Sequence, residues 1–379
     1  ICLLIGVFTG SASAVFLWCL EWATNYREAN FWIISLLPIA GLVIGLSYHY
    51  YGESVVKGNN LLLEEYHSPQ KVIPFKMAPL VFMGTVLTHL FGGSAGREGT
   101  AVQVGGAIAD QFTKVFKLSD ADRKIVLIAG ISAGFASVFG TPFANYFCDV
   151  WEISHHTHYT ISTIADLTPA TILWSLLAGI IFGLASLLFS KSTHFWGNLF
   201  KKNIKYPPLR PVIGGIILAV TWYFMGTTKY IGLGVPTIVD AFNIDLNSYD
   251  FFLKILFTSF TLGAGFKGGE VTPLFFIGAT LGNVLIWFIP IPMPLLAGMG
   301  FVAVFAGATN TPIACTIMGI ELFGIESGVF IALACTTAYL FSGHSGIYAS
   351  QIIGSPKHLF FNKEKGLTLT DVDKLRNKN

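Results

Sequence analysis

The chain has 379 residues, of which 53% are hydrophobic and only 12% charged, and its mean hydropathy is +0.64. So few charges cannot cover a soluble globule of this size, and composition therefore excludes a soluble fold and points to an all-α polytopic membrane protein in a lipid bilayer. The formal net charge of +2 is unremarkable, and no nucleic-acid partner is expected.

The first residue is an isoleucine inside an apolar run, so the natural start is expected to lie upstream. Apolar segments follow at 1–24, 32–48, 79–91, 101–116, 125–148, 161–190, 211–226, 252–265, 272–289, 294–322 and 326–341. A simple spanning helix needs about 20 apolar residues, and many of these runs are shorter or are cut by Gly and Pro, so many helices should be short, tilted or broken. Forty glycines punctuate them, and small residues are what allows close helix packing in lipid. Irregular backbone at membrane depth is tolerated only where it is buried in protein or lines a wet cavity. Residues 92–106 and 263–269 are accordingly where a pathway is expected. From about Ser355 the sequence turns polar and reads as a cytoplasmic tail, 355–379. Lys114, Lys117, Arg123 and Lys124 cluster in one connection and Lys201, Lys202, Lys205 and Arg210 in another, which by the positive-inside bias places both on the cytoplasmic side with the tail. The five cysteines show no paired spacing and read as small core residues, neither disulfides nor metal ligands.

The chain repeats itself. Leu4 to Gly10 reads against Leu177 to Gly183, and Pro38-Ile39-Ala40-Gly41 against Pro211-Val212-Ile213-Gly214, both 173 residues apart. Gly96-Arg97-Glu98-Gly99-Thr100 lies opposite Gly268-Gly269-Glu270-Val271-Thr272 (270 − 98 = 172), and Thr141 to Ala144 opposite Thr311 to Ala314 (312 − 142 = 170). Two membrane repeats, 1–172 and 173–354, are expected, with broken segments meeting near the bilayer midplane as in many secondary transporters.

Each repeat carries a carboxylate at the matching place. An acid on an isolated helix near the bilayer centre costs about 2.5–3.5 kcal/mol by insertion scales, so it must be functional, paired or near an interface. For Glu98 the plain alternative is an ion pair with Arg97, disfavoured if both are helical because adjacent helical residues do not face each other. The other reading starts from Gly99 to Gln103, which looks like a helix start, where free N–H groups attract anions. Glu98 would then be a tethered anion that occupies an anion site when ionised and leaves it when protonated. Glu270 sits at the corresponding start ahead of Val271-Thr272-Pro273. Two acids at one anion site cannot comfortably both be ionised, so at least one should hold a proton at neutral pH. Asn59, in Gly58-Asn59-Asn60-Leu61, could offer its amide to an anion or serve as a helix cap. Tyr348 lies in another glycine-broken stretch, where an aromatic taken alone is more often an interface or packing residue.

Other signals carry less. Gly92-Gly93-Ser94-Ala95-Gly96 fits the spacing of a nucleophilic serine elbow with His89 nearby, but that device needs a strand-to-helix turn, so no catalytic residue and no enzyme is expected. His155, His156 and His158 lack a second ligand cluster, and no metal or other cofactor is expected. Glu152 and Glu321 follow Pro142 and Pro312 by ten and nine residues and are candidates for an inner proton station.

Together these motifs resemble the CLC family of anion transporters over nearly the whole chain to about residue 350. Gly96 to Thr100 is similar to the family's GREGP segment, which carries the gating glutamate, and Tyr348 matches its central tyrosine. Gly58 to Leu62 stands where chloride members have GSGIP, and Gly269 to Pro273 where they have GxFxP. Asn59 in place of serine, Val271 in place of phenylalanine, and Glu270 with Thr272 in a GGExTP pattern are similar to the fluoride/proton antiporter branch. The resemblance implies a CLC-type inverted internal repeat of tilted and broken helices. It also implies a homodimer with one pathway per subunit, a multi-pass place in a bacterial inner membrane, and export of fluoride in exchange for protons, hence fluoride resistance. Glu98 and Glu270 would gate and couple protons. Asn59, Gly96, Gly99, Val271, Thr272 and Tyr348 would bind the anion.

Overall fold

A computed structural model of the chain describes residues 1–139, 157 and 159–376. Among these the secondary structure is helical, with β pairing confined to isolated bridges. The helices are α1 (Cys2–Ala29), α2 (Leu37–Tyr50), α3 (Asn59–His67), α4 (Met77–Leu90), α5 (Glu98–Phe116), α6 (Asp120–Phe139), α7 (Pro169–Asn203) and α8 (Leu209–Met225). They continue with α9 (Val235–Asp240), α10 (Asp250–Gly263), α11 (Val271–Leu285), α12 (Met293–Thr309), α13 (Pro312–Phe323), α14 (Gly328–Phe341) and α15 (Leu369–Arg376). Three helical stretches, Cys2–Ala29, Phe31–Tyr50 and Pro169–Asn203, are long and apolar enough to cross a bilayer unaided. Six further apolar helical stretches, Met77–Leu90, Leu209–Met225, Val271–Leu285, Met293–Thr309, Pro312–Phe323 and Ile325–Phe341, run to between 10 and 17 residues, as the interrupted runs require.

Two of the sequence segments divide differently. The apolar run 294–322 is two helices, because Asn310 adopts a left-handed conformation (φ 59°) that ends α12 and Pro312 opens α13. The polar tail is folded: Ile352 and Thr368 form an antiparallel bridge, and Ile353, Leu369 and Val372 make a small apolar cluster.

The chain forms two compact units, one of Ile1–His156, Trp196–Leu233 and Phe260–Glu270, the other of Thr157–Phe195, Gly234–Ser259 and Val271–Asn379. In the first, α5 packs on α6 at a reciprocal glycine contact: a Cβ at Gly105 would lie 2.2 Å from the Gly130 carbonyl oxygen, and one at Gly130 would lie 2.5 Å from that of Gly105. In the second, α11 packs on α12 in the same way, with 2.0 Å from a Gly278 Cβ to the Gly300 oxygen and 2.1 Å in the opposite sense. Gly278 is 173 residues after Gly105 (278 − 105), so the duplicated sequence builds a duplicated helix pair. Side chains at these glycines would force the backbones apart, and in lipid nothing else would draw them so close. The first unit also joins equivalent helices of the two repeats. A Cβ at Gly41 on α2 would meet the Pro211 oxygen of α8 at 2.5 Å, and one at Gly215 on α8 would meet Pro38 Cα of α2 at 2.9 Å.

Candidate functional site

Within the first unit, α4 ends at Leu90 and a buried glycine-rich crossing delivers the chain to α5. At its end Gly96 pairs with Gly269, the Gly269 N–H donating to Gly96 O at 2.7 Å and the Gly96 N–H to Gly269 O at 2.5 Å. In the register that sets Glu98 opposite Glu270 the counterpart of Gly96 is Gly268, so the bridge joins the matching segments of the two repeats one residue out of step. The bridge is antiparallel, the sense in which matching segments related by a two-fold axis meet, as in an inverted repeat. A Cβ on Gly269 would stand 2.7 Å from the Gly99 nitrogen, so only glycine permits this approach.

Glu98 is the first residue of α5 and is 2% exposed. Its Oε2 accepts the Arg97 backbone N–H at 3.2 Å. The Arg97 side chain does approach it, with Nε 3.8 Å from Oε1. The neighbour rule that disfavoured this ion pair fails because Arg97 (φ −116°) precedes the helix and is not part of it. The contact is long, and Arg97 Nε has no hydrogen-bond partner.

Gly99 is where the other groups converge. A Cβ there would meet Asn59 Nδ2 and Gly269 Cα at 3.1 Å each and Glu270 Oε2 at 3.6 Å. Asn59 reaches this point because Gly58, with φ +56°, turns the chain into α3 directly before it. Gln103, one turn along α5, donates to Gly99 O at 3.2 Å and packs beside Gly58. Asn59 Oδ1 and Glu270 Oε2 are buried without hydrogen-bond partners. Buried polar atoms in folded proteins are nearly always bonded, so such a cluster marks a place kept for a proton, water or ion. Two acids, an amide that offers N–H, and a helix start can together exchange a proton and present donors to a small anion. Among the described residues no group of His, Cys, Asp and Glu could hold a metal ion.

The second unit carries Val271 and Thr272, both buried in the first turn of α11. It also carries Tyr348, half-buried in a segment pinned on several sides. There the Ile347 N–H donates to Ala308 O at 3.0 Å, Asn310 Nδ2 to Ser345 O at 3.1 Å and Gln351 Nε2 to Thr309 O at 3.0 Å, while His194 Nε2 lies 2.9 Å from Gly346 O. Glu321 is exposed near the end of α13. Glu152, Cys148, Thr141 to Ala144 and His155, His156 and His158 lie outside the described residues. Ser94 is fully buried between two helices, so the strand that a serine elbow requires is not there.

The sequence reading passed over Lys267. Its ammonium lies 4.0 Å from the centre of the Tyr48 ring, and its stem passes Gly84 of α4, where a Cβ would be 3.0 Å away. It interacts electrostatically with Glu270. The signal was present, a lysine in the apolar, glycine-broken run from Leu262 to Gly269, and the rule applied to intramembrane acids covers it equally.

A family model described as voltage gated chloride channel matches residues 40–163 and 144–343. A chloride/fluoride channel protein of Pseudomonas syringae pv. tomato is 48% identical, over 94% of this chain and 86% of its own. An H(+)/Cl(-) exchange transporter of Cronobacter sakazakii is 24% identical over 92% of this chain and 87% of its own. Among solved structures, a CLC-type fluoride/proton antiporter superposes with a TM-score of 0.88 at 33% identity, covering 92% of this chain and 96% of that one. A slow cyanobacterial Cl-/H+ antiporter, at 16% identity and a TM-score of 0.74 over 99% of this chain and 96% of its own, shares the fold. The chain belongs to the voltage gated chloride channel family, the CLC proteins.

Proposed function

We propose that the protein is a fluoride/proton antiporter that exports cytoplasmic fluoride in exchange for entering protons. The observation that carries this reading is the cluster about Gly99, where the Asn59 amide and the Glu270 carboxylate meet at the start of the helix that Glu98 opens. The similarity to a relative named for chloride and fluoride and to a solved fluoride/proton antiporter supports it. Fluoride is small and strongly hydrated, so stripping its water takes strong, close donors. The Asn59 amide, the hydroxyls of Thr272 and Tyr348, a protonated carboxyl and the N–H groups at a helix start are such donors. Glu98 as a carboxylate fills the anion position, and on taking a proton it turns away and admits fluoride, so the two ions move in alternation. Glu270, with an oxygen left unbonded, relays the proton and offers an O–H to the anion. The two repeats are 1–172 and 173–354, the assembly is a homodimer with one pathway per subunit, and the protein lies in the cell membrane with residues 355–379 on the cytoplasmic side.

The test is efflux from proteoliposomes loaded with fluoride or chloride, with internal pH recorded. Fluoride should leave far faster than chloride and acidify the lumen as it goes. Equal rates for the two anions would remove fluoride from the assignment, and fluoride efflux without proton movement would make the protein a channel.

A further inference from the structure

Residues 355–376 were expected to be a polar tail, yet they form a closed set of side-chain bonds around the segment that carries Tyr348. His344 is 4% exposed and uses both ring nitrogens. Nδ1 is bonded to Glu364 Oε2, and Nε2 accepts the backbone N–H of Lys357 at 2.9 Å. Glu364 is in turn held by Arg376, with Nε to Oε1 at 2.9 Å and Nη2 to Oε2 at 3.0 Å. The Lys357 ammonium donates to Ser342 Oγ at 2.9 Å and to Gly343 O at 2.6 Å, and lies 4.2 Å from the centre of the Tyr339 ring at the end of α14. The backbone closes the same loop: the Leu369 N–H donates to Gln351 O and that of Thr370 to Ala349 O, both at 3.1 Å. Leu369 also packs on Gly346, where a Cβ would be 3.1 Å from its Cδ1. The tail therefore backs the residues on both sides of Tyr348.

The geometry points to a proton-sensitive clasp in which His344 is a positioning residue: the neutral ring locks the tail onto the Tyr348 segment, and a second ring proton releases it. Nε2 can accept the Lys357 N–H only while it carries no hydrogen, and a proton there sets two donors against each other. The charged groups bonded about the ring are Glu364, paired with Arg376, at Nδ1 and Lys357, through its backbone, at Nε2, and the Phe361 ring packs beside it with centroids 5.1 Å apart. A second ring proton leaves the Nδ1 bond to Glu364 intact and removes the acceptor at Nε2, so the ring stays on Glu364 and the chain at Lys357 is displaced. Burial pushes the Lys357 amine down from an ordinary 10.5 to about 7. Because its docked value is depressed, the undocked tail binds the extra proton between those limits, and docking weakens as pH falls from about 10 to about 7 and changes no further from this source. As Tyr348 acts on the anion only under the function proposed above, the consequence for transport rests on that reading, whereas the clasp itself does not.

Two measurements on the full-length protein separate them. Hydrogen exchange at Gly366, Leu369 and Thr370, divided by the intrinsic rate, is recorded at about pH 7 and about pH 5, the range over which imidazole groups gain charge. Protection should fall about fivefold to tenfold on acidification, the equilibrium change that one lost hydrogen bond allows. His344→Gln keeps an acceptor that cannot be protonated and should hold its protection at both pH values, while Arg376→Ala should be weakly protected at both. Equal pH responses in the parent and His344→Gln would overturn the clasp. Exchange kinetics in proteoliposomes follow: Arg376→Ala should raise the fluoride KM more than it lowers the maximal rate, and His344→Gln should flatten the pH dependence of KM below about pH 7. If the parent moves no fluoride, the proposed function falls, and the hydrogen-exchange result still decides the clasp.

Discussion

Adding one methyl group at Gly99 tests whether the groups around it act as one site. An alanine Cβ there would sit 3.1 Å from both Asn59 Nδ2 and Gly269 Cα and 3.6 Å from Glu270 Oε2. Non-bonded carbon prefers about 3.5–4.0 Å, so the two nearer neighbours must each yield a few tenths of an ångström. Gly269 cannot, because two hydrogen bonds to Gly96 fix its backbone. Asn59 therefore moves, and its amide leaves the helix start. Overpacking of this kind costs about 1–3 kcal/mol, which, spent at the transport site, is a loss of about 5- to 150-fold in rate. Gly269→Ala should be worse, since its Cβ would strike the Gly99 backbone nitrogen at 2.7 Å. Gly6→Ala on α1, where a Cβ meets nothing within 4 Å, serves as the control and should match the parent. The assay is fluoride/proton exchange in proteoliposomes, with elution volume and thermal midpoint in detergent confirming that each variant is folded. A Gly99→Ala protein exchanging within about twofold of the parent, below the smallest overpacking cost, would show that Asn59 and Glu270 do not work through this point.

The site was legible where the chemistry leaves few choices. A carboxylate in a glycine-broken apolar run must function, be paired or lie near an interface, which singled out both acids, and at matching places they lie where the helices break. The start of α5 was readable for the same reason. What failed to show was long-range. Arg123 was counted among loop charges that mark the cytoplasmic side, but it is buried and bonded to Asp110 and Glu65, which stand 13 and 58 residues away in sequence. The fold of the polar tail did not show because its apolar residues are few. Leu369 and Val372 are one helical turn apart, and only the return of Ile353 beside them makes a core. The break inside 294–322 was hidden by continuous hydrophobicity, although Asn310-Thr311-Pro312 spelled a helix end followed by a helix start. Arg97 was misjudged because a rule for helical neighbours was applied to a residue one step outside the helix.

Glu98→Gln should abolish the coupling of fluoride to protons, since the amide can neither fill the anion position as a charge nor carry a proton out of it; a mutant that still drives protons uphill on a fluoride gradient would place the gate elsewhere. Glu270→Ala should slow exchange severely while the protein stays folded, and Glu270→Gln should impair coupling too. Parent-rate exchange by a well-folded Glu270→Gln protein would reduce that residue to a fixed donor. Asp110 should behave in the opposite way, and the reason is in its bonding. Its Oδ1 receives Arg123 Nε at 2.8 Å and Thr113 Oγ1 at 3.0 Å, and its Oδ2 receives Arg123 Nη2 at 2.8 Å and the Ile73 N–H at 2.7 Å. Arg123 goes on to Glu65 Oε2 at 3.1 Å and Lys71 O at 2.8 Å, so this carboxylate anchors the connection from α3 to α4 against α5 and α6. A buried acid with both oxygens satisfied has no capacity left for a substrate, whereas Glu270 keeps one oxygen unbonded. Removing Asp110 leaves the buried Arg123 with Glu65 as its one acidic partner, so the cost stays below that of a buried charge left wholly unpaired, about 3–5 kcal/mol, yet four hydrogen bonds are lost. Asp110→Ala should therefore lower the thermal midpoint sharply, and the fraction that folds should exchange fluoride for protons at the parent rate. An unchanged midpoint, or a stable protein that has lost coupling, would mean that satisfaction of its oxygens does not distinguish an acid that holds the fold from one that serves the pathway.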